Sequence, residues 1–125
     1  MIKVMLVDDQ TLVRQGVKSL LSLTKTIEVV AEASDGQQAI DTIPEIQPDV
    51  VLMDMRMPIK SGLEAVQELS ASKKLPPTII LTTFDDDELV LAGIKAGAKG
   101  YLLKDVSLEQ LEEAIVVVAK GGSLV

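Results

Sequence analysis

The chain has no cysteine and no histidine. Without cysteine there is no disulfide, no thiol nucleophile and no thiolate metal site. Without histidine, the commonest general base and the imidazole zinc sites are excluded as well. Aromatic residues make up only 2% of the chain, so any core has to be built from Val, Ile, Leu, Ala and Met. Basic residues are scarce, 12 against 19 acids for a net charge of −7. That balance argues against this stretch itself gripping nucleic acid or an anionic membrane. No apolar run approaches the roughly 20 residues that a bilayer span needs. The N-terminus carries a single Lys3 and no cleavage-site pattern, so no secretory leader is expected and a cytoplasmic location is. Chemistry is left to carboxylates, hydroxyls, Lys and Arg.

What is present is ample apolar material, 47% of 125 residues, the size of one ordinary domain with one core. Its distribution alternates. Ile2–Val7 reads as a first strand, followed by Leu12, Val13, Val17, Leu20 and Leu21 spaced as one helical face. Ile27–Ala33 alternates in part, as an edge strand does. Asp35 can cap a short helix carrying Ala39, Ile40 and Ile43, whose end is bracketed by Pro44 and Pro48. Val50-Val51-Leu52-Met53 is too short and too apolar for an ordinary helix and reads as a buried strand, running straight into Asp54. Ser61-x-x-Glu64 and Ser107-x-x-Gln110 are capping boxes. They open helices with apolar positions at Leu63, Val66 and Leu69 and at Leu108, Leu111, Ala114, Ile115, Val118 and Ala119. Thr78–Leu81 is another buried strand, ending at Thr82-Thr83. Four acids, Asp85 to Glu88, begin the next helix, where they suit its dipole, and Gly97 ends it. Gly100–Leu103 is a short last strand ending at Lys104.

Five strands alternating with five helices predict a parallel sheet with helices on both faces. At this size the flavodoxin-like, doubly wound order 2-1-3-4-5 is the common arrangement. In that order strands one, three, four and five are consecutive neighbours, about 4.8 Å apart. Their carboxyl ends would gather Asp8, Asp9, Asp54, Thr82 and Lys104 on one rim. Three close carboxylates repel, and a hard divalent cation with oxygen ligands resolves the repulsion. Mg²⁺ is the expected ion, with Asp9 and Asp54 as direct ligands, the Arg56 carbonyl as a further one and Asp8 holding a coordinated water. Mg²⁺ beside a carboxylate and a lysine makes a phosphoryl-transfer site, in which Asp54 attacks to give an aspartyl phosphate.

Taken singly, each residue has an ordinary reading. Asp8 or Asp9 caps a helix, Asp54 is a turn acid before Pro58, and Thr82 is a β-branched strand residue. Lys104 is a solvated charge, Tyr101 is half-buried packing, and Met53, Met55 and Met57 are filler. Their joint placement at four strand ends outweighs those readings.

Four pieces, Val7-Asp8-Asp9, Met53–Pro58 followed by Gly62, Leu81-Thr82-Thr83 and Gly97–Lys104, resemble the response-regulator receiver (CheY-like) domain of two-component signalling. The stretch from Ala96 to Asp105, with the Gly121-Gly122-Ser123 tail, is most similar to the NarL/FixJ subfamily, whose output is a LuxR-type helix-turn-helix. The resemblance implies that Asp54 is the phosphoacceptor for a partner sensor histidine kinase. It implies that Asp8 and Asp9 are the acidic pair for Mg²⁺ and that Thr82 and Lys104 contact the phosphoryl group. Thr82 and Tyr101 would form a switch altering homodimerisation and release of an output domain. Arg56 and Phe84, two residues beyond Asp54 and Thr82, occupy positions that tune phosphoryl lifetime in the family. Most receivers follow this lysine with proline; here Asp105 follows, so a trans bond is expected. Residues 1–120 are then the receiver, and 121–125 are expected to begin a linker to a C-terminal DNA-binding domain outside this chain. A haloacid-dehalogenase-type phosphatase would need a second Asp where Arg56 stands, as well as a cap insertion. A receiver-shaped module that never takes phosphate would not need the intact set of Asp8, Asp9, Asp54, Thr82 and Lys104. No glycine fingerprint for a nucleotide or flavin follows the first strand.

Overall fold

The computed structural model describes residues 1–83 and 86–124. The elements are β1 (Ile2–Val7), α1 (Thr11–Leu21), β2 (Ile27–Ala33), α2 (Gly36–Ile46), β3 (Val50–Asp54), α3 (Gly62–Ala71), β4 (Thr78–Thr82), α4 (Asp87–Ala96), β5 (Gly100–Leu103) and α5 (Leu108–Ala119). All four strand pairings are parallel, in the order β2-β1-β3-β4-β5. The doubly wound arrangement expected from the alternation is the one observed.

The period-2 geometry of the strands divides the aliphatic residues between two faces. Met5, Val7, Val51, Met53 and Ile80 pack with Ala39, Ile43, Ala65, Val66 and Leu69 of α2 and α3. Val4, Leu6, Val50, Leu52, Ile79 and Leu81 pack with Leu21 of α1 and with Leu111, Ala114, Ile115 and Val118 of α5. β3 lies in the middle and is buried along its whole length, which is why its sequence runs apolar without alternation until Asp54. Met53 and Met55 are core residues and Met57 packs against the same cluster.

Helix boundaries follow the side chains that cap them. Asp35 Oδ1 accepts from Gln38 N at 2.8 Å. Ser61 and Ser107 each form the full reciprocal capping box, with Glu64 and Gln110 respectively. Gly97 ends α4 with φ 129°, a left-handed-side conformation that a Cβ disfavours. α2 runs through Pro44 to Ile46 and stops at Gln47 in the left-handed conformation, so the two prolines bracket its end.

α1 departs from the expected single apolar face. Leu12 is 84% exposed and Leu20 is 41% exposed, while Leu21 alone of that set is fully buried. The helix lies on an edge of the sheet, between β1, β2 and α5, and that site is too narrow to cover all five side chains. At the other end of the chain, Leu124 N donates to Lys99 O at 2.8 Å, and Leu124 packs against the α5-side cluster.

Candidate functional site

The carboxyl ends of β1, β3, β4 and β5 form one rim, because parallel strands all point the same way. Asp8 follows β1, is 4% exposed, and accepts at Oδ1 from Gln10 N at 2.8 Å. That bond fixes the turn into α1 while leaving Oδ2 free to face the rim. Asp9 beside it is exposed, and Asp54, the last residue of β3, is buried. One carboxylate oxygen from each of Asp8, Asp9 and Asp54 lies within 4.8 Å of the others. Lys104, just past β5, reaches back between them: its Nζ is 3.0 Å from Asp8 Oδ2 and 3.4 Å from Asp54 Oδ2. Lys104 N donates to Thr82 O at 2.8 Å, tying its loop to the end of β4, and the Lys104–Asp105 bond is trans.

Gly62 sets the position of Asp54 from behind. Its N–H donates to Met55 O at 3.0 Å, and a Cβ at this position would collide with the Asp54 carbonyl oxygen. The turn before α2 leans on the same loop, since Gly36 N donates to Lys60 O at 2.8 Å. Arg56 N donates to Asp54 Oδ1, at 3.4 Å.

Electrostatics follow from this crowding. Burial pushes the Asp54 carboxyl above its ordinary pKa; the Lys104 charge opposes the rise and the Asp8 charge adds to it. For Lys104, burial alone would depress the ammonium. The hydrogen bond to Asp8 and the charges of Asp54 and Asp8 outweigh it, and its pKa is raised. Asp8 and Asp54 thus share one cation, with Asp9 beside them. The donor set is all oxygen, with the Asp9 side open to solvent, and it fits a hard divalent cation that keeps several waters, the coordination habit of Mg²⁺.

Thr82 is buried at the end of β4. Its hydroxyl lies 3.0 Å from Thr83 O and 3.3 Å from Asp86 Oδ2, so its hydrogen-bond partners lie on the segment that follows β4. A cavity of about 230 Å³, lined by Thr82, Thr83, Leu103, Lys104 and Asp105, opens beside it. Tyr101, which pairs in register with Ile80, is 46% exposed. Phe84 lies outside the described residues. The rim therefore brings together Asp8, Asp9, Asp54 and Lys104, while the Thr82 hydroxyl is engaged with Thr83 and Asp86 and Tyr101 is exposed.

Two residues enter the site without an expectation attached to them. Arg14, on α1, donates from Nη1 to Asp8 O at 2.6 Å and pairs through Nε with Glu32 at 3.3 Å. Nothing in its spacing distinguishes it from a surface arginine. Asp86, one of the acids before α4, makes no cap bond and instead binds Arg56, whose Nη2 and Nε lie 2.7 and 3.1 Å from Oδ1. Its signal in the sequence is an acid four residues past Thr82 with an arginine two past Asp54, which becomes legible once β3 and β4 are known to be neighbours.

Residues 4–116 match the family described as response regulator receiver domain. The chain belongs to the response-regulator receiver family. Among curated proteins, this receiver is 47% identical over 122 residues to the nitrate/nitrite response regulator protein NarP of Escherichia coli (strain K12), covering 98% of this chain and 57% of that protein. It is 42% identical over 122 residues to the transcriptional regulatory protein LnrK of Bacillus subtilis (strain 168), covering 98% of this chain and 56% of that one. The signal receiver domain of the response regulator NarL from Mycobacterium tuberculosis superposes with a TM-score of 0.89 at 33% identity, covering 96% of this chain and 97% of that one. The receiver is thus related to the NarL/LuxR-type transcription regulators, and it spans a little over half the length of the curated relatives it matches. Among the described residues, no helix is long and apolar enough to cross a membrane.

Proposed function

We propose that Asp54 accepts a phosphoryl group from a phosphohistidine on a sensor kinase, making the receiver a phosphorylation-driven switch rather than a turnover enzyme on metabolites. The observation that carries this reading is the placement of Lys104 Nζ against both Asp8 and Asp54, two members of a cluster of three carboxylates. One Asp54 carboxylate oxygen attacks phosphorus in line. The P–O bond forms as the P–N bond breaks, and the departing imidazole nitrogen takes its proton from solvent. Asp8, Asp9, Asp54 and the Arg56 carbonyl would hold Mg²⁺, which supplies positive charge for the phosphoryl oxygens when bound. Lys104 neutralises another oxygen and favours the ionised form of Asp54 against the effect of burial. Thr82 donates its hydroxyl to a third, and Tyr101 turns inward as Thr82 moves. Attack of water on phosphorus, modulated by Arg56 and Phe84, returns the carboxylate and inorganic phosphate.

The relation to transcription regulators supports a LuxR-type helix-turn-helix output beyond the receiver, with residues 1–120 as the receiver and 121–125 leading toward the output. Phosphorylation would change the surface of α4, β5 and α5 and favour a homodimer. DNA contact would belong to that second domain, since the receiver is acidic, and the expected location is cytoplasmic. Incubation with acetyl phosphate and Mg²⁺ should add one base-labile phosphoryl group by intact mass, lost with EDTA and in Asp54→Asn. Absence of any adduct, with acetyl phosphate and with a phosphorylated histidine kinase alike, would overturn the proposal.

A further inference from the structure

The loops leaving β3 and β4 are tied to each other beside the acidic rim. Arg56 carries 70% of its side chain in solvent, yet its guanidinium makes two contacts to Asp86 Oδ1, at 2.7 and 3.1 Å. Asp86 is the enclosed partner, with 11% of its side chain exposed. Its second oxygen, Oδ2, lies 3.3 Å from the Thr82 hydroxyl. The chain Arg56–Asp86–Thr82 therefore starts on a residue whose amide is bonded to Asp54 and ends on the hydroxyl proposed to receive a phosphoryl oxygen.

A threonine hydroxyl has one proton. Here its acceptors are Thr83 O and Asp86 Oδ2, and a proton directed at either cannot be given to a phosphoryl group on Asp54. The charge-assisted link to Asp86 is held in turn by the guanidinium, which fixes the carboxylate in place.

We propose that the Arg56–Asp86 ion pair is a strap that holds the Thr82 hydroxyl off the phosphoryl-binding position, making Asp86 a positioning residue that opposes the phosphorylated state. This rests on the reading of Asp54 as phosphoacceptor. In the unmodified receiver only chains with the strap open offer Thr82 to an incoming group, so apparent affinity for that group is reduced by the open fraction. The hydrogen bond from Thr82 to a group on Asp54 and its link to Asp86 exclude one another, because the hydroxyl has one proton.

The strap makes a prediction that direct electrostatics does not. Asp86→Ala removes a negative charge near an anion site and Arg56→Ala removes a positive one, so simple charge effects would move binding in opposite directions. Opening the strap moves both the same way.

The test measures affinity for beryllofluoride, the phosphoryl mimic formed with Mg²⁺, in wild type, Arg56→Ala, Asp86→Ala and the double variant, with circular dichroism to verify folding. The two single variants should each bind more tightly by roughly two- to fivefold, the scale of one exposed ion pair. The double variant should gain no more than the better single one. In a Thr82→Val background, Asp86→Ala should bring no gain, because the hydroxyl it released is gone. Opposite-signed effects, unchanged affinities, or a gain that survives in Thr82→Val would each overturn the strap. No beryllofluoride binding in wild type, with no acetyl-phosphate adduct, would instead remove the phosphoacceptor reading.

Discussion

The rim works through a residue that is uncomfortable without its ligands. Burial raises the Asp54 carboxyl pKa, and Asp8 adds to the rise, so the folded chain binds that proton more tightly than the unfolded chain does. Ionised Asp54 therefore costs stability at neutral pH, and the cost fades as pH falls through the folded-state value toward the ordinary 3.8. In metal-free buffer Asp54→Asn should unfold at a higher temperature than wild type at pH 7, with the gap narrowing on acidification. An equal or lower midpoint for Asp54→Asn at pH 7 would show that Lys104 compensates the burial fully. Lys104 behaves oppositely: its pKa is raised, so its pairing stabilises below the unfolded value and is lost only as pH climbs through the folded one. At this scale the sequence was informative where a residue stood at a strand end. It was silent where a role depends on cross-strand neighbours. Asp86 looked like one of four interchangeable helix-start acids, and Arg14 like any cation on a helix, because each takes its partner from a different element.

Among the elements, the loop between β3 and α3 carries most of the positioning. The capping box at Ser61 fixes where α3 begins, and Gly62 sits where a side chain would strike the Asp54 carbonyl. Gly62→Ala should lower stability by about 1–3 kcal/mol, the range for forcing a methyl into filled space, and should reduce the phosphoryl adduct by displacing Asp54. Urea unfolding and intact mass measure the two effects; wild-type values in both would show that the loop yields freely. Capping boxes, strand runs and the Gly97 stop were all readable because they depend on residues within four positions of one another. The exposure of Leu12 and Leu20 was not. Helical spacing states which residues share a face, but how much of that face is covered depends on the width of the sheet edge beneath it.

For the molecule as a whole, the order β2-β1-β3-β4-β5 turns residues spread from Asp8 to Lys104 into one site. Alternation of apolar segments, together with the arrangement common for a doubly wound sheet of this size, made that order legible from the sequence. Surfaces for assembly were not legible in the same way, because apolar residues left exposed obey no periodicity. If phosphorylation drives pairing of receivers, beryllofluoride with Mg²⁺ should raise the sedimentation coefficient of wild type at concentrations where Asp54→Asn remains unchanged. Identical sedimentation with and without the mimic would separate phosphorylation from dimerisation.

Three carboxylates share the rim, and only Asp54 is expected to accept the phosphoryl group. Borohydride reduces an acyl phosphate to an alcohol, converting a phosphorylated aspartate into homoserine. Peptide mapping of the receiver after treatment with acetyl phosphate, Mg²⁺ and borohydride should find homoserine at position 54 and aspartate unchanged at positions 8 and 9. Homoserine at position 8 or 9, or a stable phosphoryl group on Thr82, would contradict the assignment of Asp54 as the acceptor.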